Sequence, residues 1–306
     1  MGPRRSEGER VTGIDMAFIT FKAEGRISYG ILHDDGVFDL GRRIGNVLPD
    51  LKSLLTAQGL GLVHRVPEAT LADYAIGDFT YEPVIPNPAK ILCVGLNYVE
   101  HRKETGRPET KHPAIFTRFS DTLIGHKAPI HVPKVSSSLD YEGELAVIIG
   151  KSCFRVDEAD ALGCVAGYSV FNDSSVRDWQ HHTHQFIPGK NFPNTGGFGP
   201  ALITPEEAGM LADKTIETRL NDTVMQSAKL GEMIFSVARV IAYISGFTRL
   251  TPGDVIATGT PGGVGVKRDP PVFMKQGDCV NVTVEGIGTL TNPVVSEADT
   301  SNYGRH

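Results

Sequence analysis

The chain has 306 residues, room for two domains or one large core with a smaller partner. Lys and Arg total 30 against 36 Asp and Glu, so the net charge is −6 with no basic block, which excludes the electrostatic footprint of a nucleic-acid binder. With 40% hydrophobic and 22% charged residues the chain can bury a substantial core, and 34 Gly and 19 Pro point to many turns and a β-rich fold.

No stretch approaches the roughly 18 consecutive apolar residues a spanning helix needs, so no membrane partner is expected. Cys93, Cys153, Cys164 and Cys279 are scattered and form no Cys-x-x-Cys pair. They read as reduced thiols, and the expected location is the cytosol. Residues 1–15 are polar, carry Arg4, Arg5 and Arg10, and lack the apolar run of a secretory signal. Glu7, Glu9 and Asp15 speak against an Arg-rich transit peptide, so a disordered extension is expected.

Residues 16–86 read as a small N-terminal α+β domain. Strands are expected at 17–22 and 27–32, then a turn at Asp34-Asp35-Gly36. Val47, Leu48, Leu51, Leu54 and Leu55 then recur at helical spacing over 47–58. Pro83, Pro86 and Pro88 mark the boundary, and a second domain is expected over 87–297 with a tail at 298–306. Strand-like runs follow at 91–94, 114–118, 142–149, 167–172, 201–203, 216–220, 255–258 and 279–284. Helices are expected at 204–212 and 231–248, the latter with Ile234, Val237, Ala238, Ile241, Ile244 and Ser245 on one face. Strands outnumber helices and do not alternate with them. That argues for an α+β, β-rich fold, a large mixed β-roll or sandwich, and against a doubly wound nucleotide fold.

The segment Asp140-Tyr141-Glu142-Gly143-Glu144 runs directly into the apolar residues 145–149. Side chains alternate along a strand, so Glu142 and Glu144 project from one face. Two adjacent carboxylates in a burying context repel unless a cation sits between them. Asp173, closing the apolar run 167–171, offers a third. Three hard oxygen ligands describe a Mg²⁺ or Mn²⁺ site rather than zinc, the bland alternative being a solvated acidic edge.

In the second cluster, residues 97–104, His101 and Glu104 are neighbours on a short helix. A carboxylate beside an imidazole orients it and raises its basicity, as a general base requires, although such pairs are commonplace on surfaces. The flanking Gly95 and Gly106 suit a mobile lid. Lys190, in Gly189-Lys190-Asn191, is suited to a substrate carboxylate or to solvent. The loop 259–265, Gly-Thr-Pro-Gly-Gly-Val-Gly, fails the P-loop pattern because Val266 precedes Lys267. Its uncovered backbone N–H groups and the Thr260 hydroxyl suit a small anion. His181, His182 and His184 lack zinc spacing, and Ser174 and Ser175 sit in no nucleophile elbow.

Taken in order, these pieces resemble the fumarylacetoacetate hydrolase family over roughly residues 90–295. The markers are Val94-Gly95-Leu96-Asn97-Tyr98 with His101, then Asp140–Glu144, then Phe171-Asn172-Asp173 with Arg177-Asp178-Trp179-Gln180. Gly189-Lys190, Leu220-Asn221 with Gln226, and the glycine loop 259–265 complete them. The resemblance implies the family's mixed β-roll with a smaller N-terminal domain, Mg²⁺ or Mn²⁺ on Glu142, Glu144 and Asp173, and a homodimer. It lends His101 and Glu104 the role of a water-activating lid dyad, with Lys190 beside them in the catalytic set, and gives Arg118, Gln226 and Thr260 to the substrate. Phe116-Thr117-Arg118-Phe119 departs from the Lys-Pro that many relatives carry there, which leaves the substrate open. The implied activity is cleavage of an acylpyruvate-like 2,4-dioxo acid to pyruvate and a carboxylic acid, the substrate being a small dicarboxylate or keto acid. Oxaloacetate decarboxylation and isomerisation of a 2-hydroxy-dienoate use the same metal–enolate chemistry and stand as alternatives. A non-catalytic metal-binding protein is the alternative from another class.

Overall fold

Two kinds of hydrophobic pattern sort the strands into two main sheets. In the computed structural model, which describes residues 17–56, 59, 63 and 72–297, Gly143–Ile149 and Gly196–Ile203 are buried along their whole length. Such continuous apolar runs belong to central strands covered on both faces. Thr215–Leu220 and Cys279–Val284 alternate instead between buried and more open positions, as strands with one covered face do.

The larger sheet has 12 strands. Its main path runs Tyr74–Ala75, Gly36–Asp39, Arg26–His33, Ala17–Ala23, Gly196–Ile203, Val165–Asp173, Gly143–Ile149, Val255–Ala257, Ile91–Gly95 and Ala114–Arg118. Most neighbours are antiparallel, but Val255–Ala257 lies parallel to Ile91–Gly95 and antiparallel to Gly143–Ile149. A five-stranded sheet follows the order Thr223–Lys229, Thr215–Leu220, Cys279–Val284, Gly288–Ser296 and Ile130–Val132. A two-stranded ribbon pairs Leu139–Asp140 with Ser175–Val176. The expected α+β, β-rich mixed-sheet architecture is the one observed.

Strand parity sets the two cores. Leu145, Val147 and Ile149 join Val282, Val284 and Leu290 of the smaller sheet and Val240, Ile241 and Ile244 of the helix Val237–Phe247. Ala146 and Ile148, on the opposite face, pack with Phe171 and Phe198 and with Leu40, Leu51 and Leu54 of the short helices Leu40–Ile44 and Leu51–Leu54.

Residues ahead of the proline-rich 83–88 segment extend the large sheet: Ala17 and Phe18 pair with Ile203 and Leu202. The expected helices are shorter than their apolar spacing suggests, because caps set their ends. Asp50 and Ser53 form a reciprocal capping box that starts Leu51–Leu54 after Pro49. Gln58, the far end of the helix expected at 47–58, lies outside the described residues, as do the extension at 1–15 and the tail at 298–306. Thr204 caps Pro205–Ala208, which ends at Gly209. Ser236 accepts from Arg239 N and starts Val237–Phe247, leaving 231–236 outside the α-helix.

Candidate active site

Pairing register brings the acidic residues together. Gly143 pairs with Asn172 and Glu144 with Phe171. The ladder continues with Asp173 N–H donating to Glu142 O at 2.8 Å. Glu142 and Glu144 therefore share a face with Asp173 across the strand pair, and their carboxylate oxygens converge within 4.8 Å of one another. All three are buried.

Three cations surround this triad. Lys190 Nζ donates to Glu142 Oε2 (2.7 Å), Asp173 Oδ2 (2.5 Å) and Asp173 O (3.0 Å), so its hydrogens are spent on the triad. Arg118 donates to Asp173 Oδ1 (2.7 Å), Ser174 O and Thr195 Oγ1. Arg177 lies 2.6 Å from Glu142 Oε1 and donates to Asp140 Oδ2 at 2.8 Å. Burial disfavours the charged form of Glu142, but Lys190 and then Arg177 outweigh it and hold that carboxylate below its ordinary range. Glu144 goes the other way: burial, then the charges of Asp173 and Glu142, push it well above its ordinary value. Burial also works against the Lys190 ammonium, yet Asp173 and Glu142 raise its pKa, so it is a cation and not a free amine.

The donor set fits a hard divalent cation. Four carboxylates (Asp140, Glu142, Glu144, Asp173) face three cations, and among the described residues Glu144 has no cationic side chain within salt-bridge distance. Its oxygen accepts from Gly259 N at 2.7 Å. An ion bound by Glu142, Glu144 and Asp173 would supply the missing positive charge, and oxygen-only ligation matches Mg²⁺ or Mn²⁺.

The helix Val99–Thr105 carries the second group. His101 Nδ1 lies 2.7 Å from Glu104 Oε1, and Glu104 Oε2 accepts from Gly263 N at 2.9 Å. With Nδ1 donating to the carboxylate, Nε2 is left as the acceptor nitrogen. The glycine loop holds anions, as its composition suggests, but they are the protein's own. Gly259 N serves Glu144, Gly263 N serves Glu104, and Gly265 N and Val266 N serve the two oxygens of Asp140. Gly259 has φ of 101°, and a Cβ there would stand 2.7 Å from Asn97 Cβ, so the loop approaches the 97–101 segment this closely through glycine.

A cavity of about 240 Å³ opens over these groups. His101, Glu142, Glu144, Lys190 and Thr260 line it; Arg118 and Gln226 do not. Both lie one layer behind the cavity wall. Arg118 lies behind Asp173, while Gln226 accepts from Gly143 N and donates to Thr260 Oγ1 and Pro261 O. Thr260 reaches the wall, but its hydroxyl proton goes to Gly143 O. The sequence reading assigned no role to Arg177, Gln180, Asp140, Arg107, His181 or Lys267. All but Asp140 line the cavity, and Asp140 anchors Arg177 and the glycine loop. Arg177 and Gln180 stood in the quoted motif at helical i, i+3 spacing, and Arg177 Nη1 donates to Gln180 Oε1 at 2.9 Å.

Comparison with known proteins agrees with this geometry. The profile "Fumarylacetoacetate (FAA) hydrolase C-terminal" matches residues 90–295. Among curated proteins, the chain is 42% identical over 213 residues to "Oxaloacetate tautomerase fahd2, mitochondrial" of Xenopus laevis, covering 69% of this chain and 67% of that one. It is 39% identical over 253 residues to human "Oxaloacetate tautomerase FAHD2A, mitochondrial", covering 81% of each. Among solved structures, 2-hydroxyhepta-2,4-diene-1,7-dioate isomerase from Mycobacterium marinum superposes with a TM-score of 0.72 at 30% identity, covering 93% of this chain and 100% of that one. The cytosolic location expected from the thiols is corrected by the two curated relatives, both named as mitochondrial. Separated free thiols do not tell one reducing compartment from another.

Proposed function

The chain belongs to the fumarylacetoacetate hydrolase family, and from that premise we propose a divalent-metal-dependent tautomerase that interconverts keto and enol forms of an oxaloacetate-type 2-oxo acid. The observation that carries this reading is a cavity lined by Glu142 and Glu144, two of the three buried hard-oxygen donors that converge with Asp173, and by a histidine with one ring nitrogen free to take a proton. The names of the curated relatives support it.

Glu142, Glu144 and Asp173 would hold Mg²⁺ or Mn²⁺, which when bound supplies Lewis-acid stabilisation of charge developing on the 2-oxo oxygen. His101 Nε2 takes the proton from the carbon beside the 2-oxo group and gives it to the oxygen of the resulting enolate, so that the enol forms; in the reverse direction it moves the proton from that oxygen back to the carbon. Glu104, fixed by Gly263 N–H, stabilises the imidazolium so formed. Lys190 keeps Glu142 and Asp173 in place. Phe116, Phe186 and Val264 on the wall limit water near the transferred proton.

The acylpyruvate hydrolase expectation gives way to this reading. Hydrolysis also needs a water placed against a second carbonyl, whereas proton transfer asks only for the base and the cavity. The homodimer implied by the family resemblance remains part of the proposal, and sedimentation equilibrium tests it.

The test follows the ultraviolet absorbance of enol-oxaloacetate with metal-stripped protein before and after Mg²⁺ or Mn²⁺ is restored, with acetylpyruvate in parallel. We expect metal-dependent acceleration of enol loss and no acetate. Acetate and pyruvate in equal amounts from acetylpyruvate, with enol loss unchanged, would return the assignment to a C–C hydrolase. Rapid pyruvate release from oxaloacetate would make it a decarboxylase.

A further inference from the structure

The cavity carries polar side chains in both its buried and its exposed parts, beside its apolar wall. Its buried part carries Glu142, Glu144 and Lys190, and Lys190 in turn holds Asp173. Farther out it is lined by Arg107, His181 and Lys267, all exposed. These come from three separate segments. Arg107 follows the helix Val99–Thr105, where Gly106 at φ 66° turns the chain and Arg107 N–H closes back on Arg102 O. Lys267 ends the short turn Gly265–Lys267, pinned by Gly265 N and Val266 N on Asp140. His181 follows the helix Arg177–Gln180.

Among the described residues, none of the three has an acidic side chain within salt-bridge distance. All three line the same cavity wall, where burial lowers the His181 pKa and the charges of Arg177, Arg107 and Lys267 lower it further. Like charges held together without an anion are unfavourable, and an incoming carboxylate relieves that cost. Arg177 joins the two ends of the cavity. It contacts Glu142, acts on the charge of His181, and has a buried Nη2 with no hydrogen-bond partner.

We propose that Arg107 and Lys267, with His181 between them in function, form a subsite for the far carboxylate of a dicarboxylate whose 2-oxo acid end faces the acidic triad. This makes them specificity-determining residues. The inference rests on the cavity being a 2-oxo acid site, but not on the chemistry performed there.

The test therefore reads binding. Malate and lactate share a 2-hydroxy acid head and differ in the far carboxylate, so both are titrated calorimetrically into the full-length, Mg²⁺-loaded protein. Wild type is expected to hold malate about 10–100-fold more tightly, the range for charge-assisted hydrogen bonds. The double variant Arg107→Gln, Lys267→Gln is expected to lose that preference while lactate binding stays within about threefold. A control, Lys151→Gln with Arg249→Gln, removes the same charge at exposed positions near the opposite end of the strand Gly143–Ile149. The proposal is overturned if wild type shows no preference for malate, whether both ligands bind or neither does. Retention of the preference by the double variant, or its equal loss in the control, also overturns it. A protein inert towards enol-oxaloacetate that still discriminates through Arg107 and Lys267 would sink the tautomerase reading and leave this subsite standing.

Discussion

Arg118 and His101 separate two jobs that a list of polar residues near a site confuses. Arg118 is buried against Asp173, and replacing it with leucine strands a buried carboxylate. We expect Arg118→Leu to cost about 3 kcal/mol of stability, read by urea unfolding, even though Lys190 still contacts Asp173. His101→Ala removes the proposed base from a cavity wall instead. It should lower kcat by roughly 10²–10⁴-fold with the melting temperature nearly unchanged. A large stability loss in His101→Ala, or none in Arg118→Leu, would contradict this division. The triad was legible in the sequence because Glu142 and Glu144 are two apart on a strand and Asp173 closes another apolar run. What lay behind it was not. Arg118, Gln226 and Thr260 are polar residues in the right neighbourhood, but only their hydrogen-bond partners show that they support carboxylates and the loop. Arg107, His181 and Lys267 left no pattern at all, since their proximity depends on three segments meeting in space.

Helices and strands were readable to the degree that local chemistry dictated them. The apolar face of Val237–Phe247 was evident from spacing, while its first turn was set by the Ser236 cap. Ser236→Ala should cost about 1 kcal/mol, and Ile241→Ala, in the core between helix and sheets, about 2–5 kcal/mol. Thermal unfolding monitored by circular dichroism would rank the two, and the reverse order would show that the cap matters more than the packing. The strand Gly288–Ser296 escaped the sequence reading for a physical reason. Gly286 precedes it, Gly288 opens it, and Pro293 interrupts its apolar pattern where a strand interior disfavours proline. Pro293 is exposed, and the strand keeps its place through Val280↔Asn292, Val282↔Leu290 and the parallel partner Ile130–Val132.

For the molecule as a whole, the junction between Ala17–Ala23 and Gly196–Ile203 joins the two sequence halves into one sheet. A chain beginning at residue 87 loses that neighbour and the cover that Phe18, Leu40 and Leu51 give to Phe171 and Phe198. We expect it to accumulate in the insoluble fraction on expression, with full-length protein soluble under the same conditions. A soluble 87–297 fragment with cooperative unfolding would show that this part folds alone. Val255–Ala257 adds a constraint of another kind, because it lies between Gly143–Ile149 and Ile91–Gly95 although it comes more than a hundred residues after either begins. During synthesis the centre of the sheet is therefore a gap with two apolar lips, and at about 5–20 residues per second it stays open for several seconds. The loop that cradles Glu144, Glu104 and Asp140 follows immediately behind the missing strand. Nascent chains thus expose both their stickiest edges and their uncompensated carboxylates until more than four-fifths of the polypeptide has been made, a window in which a holding chaperone has something to bind.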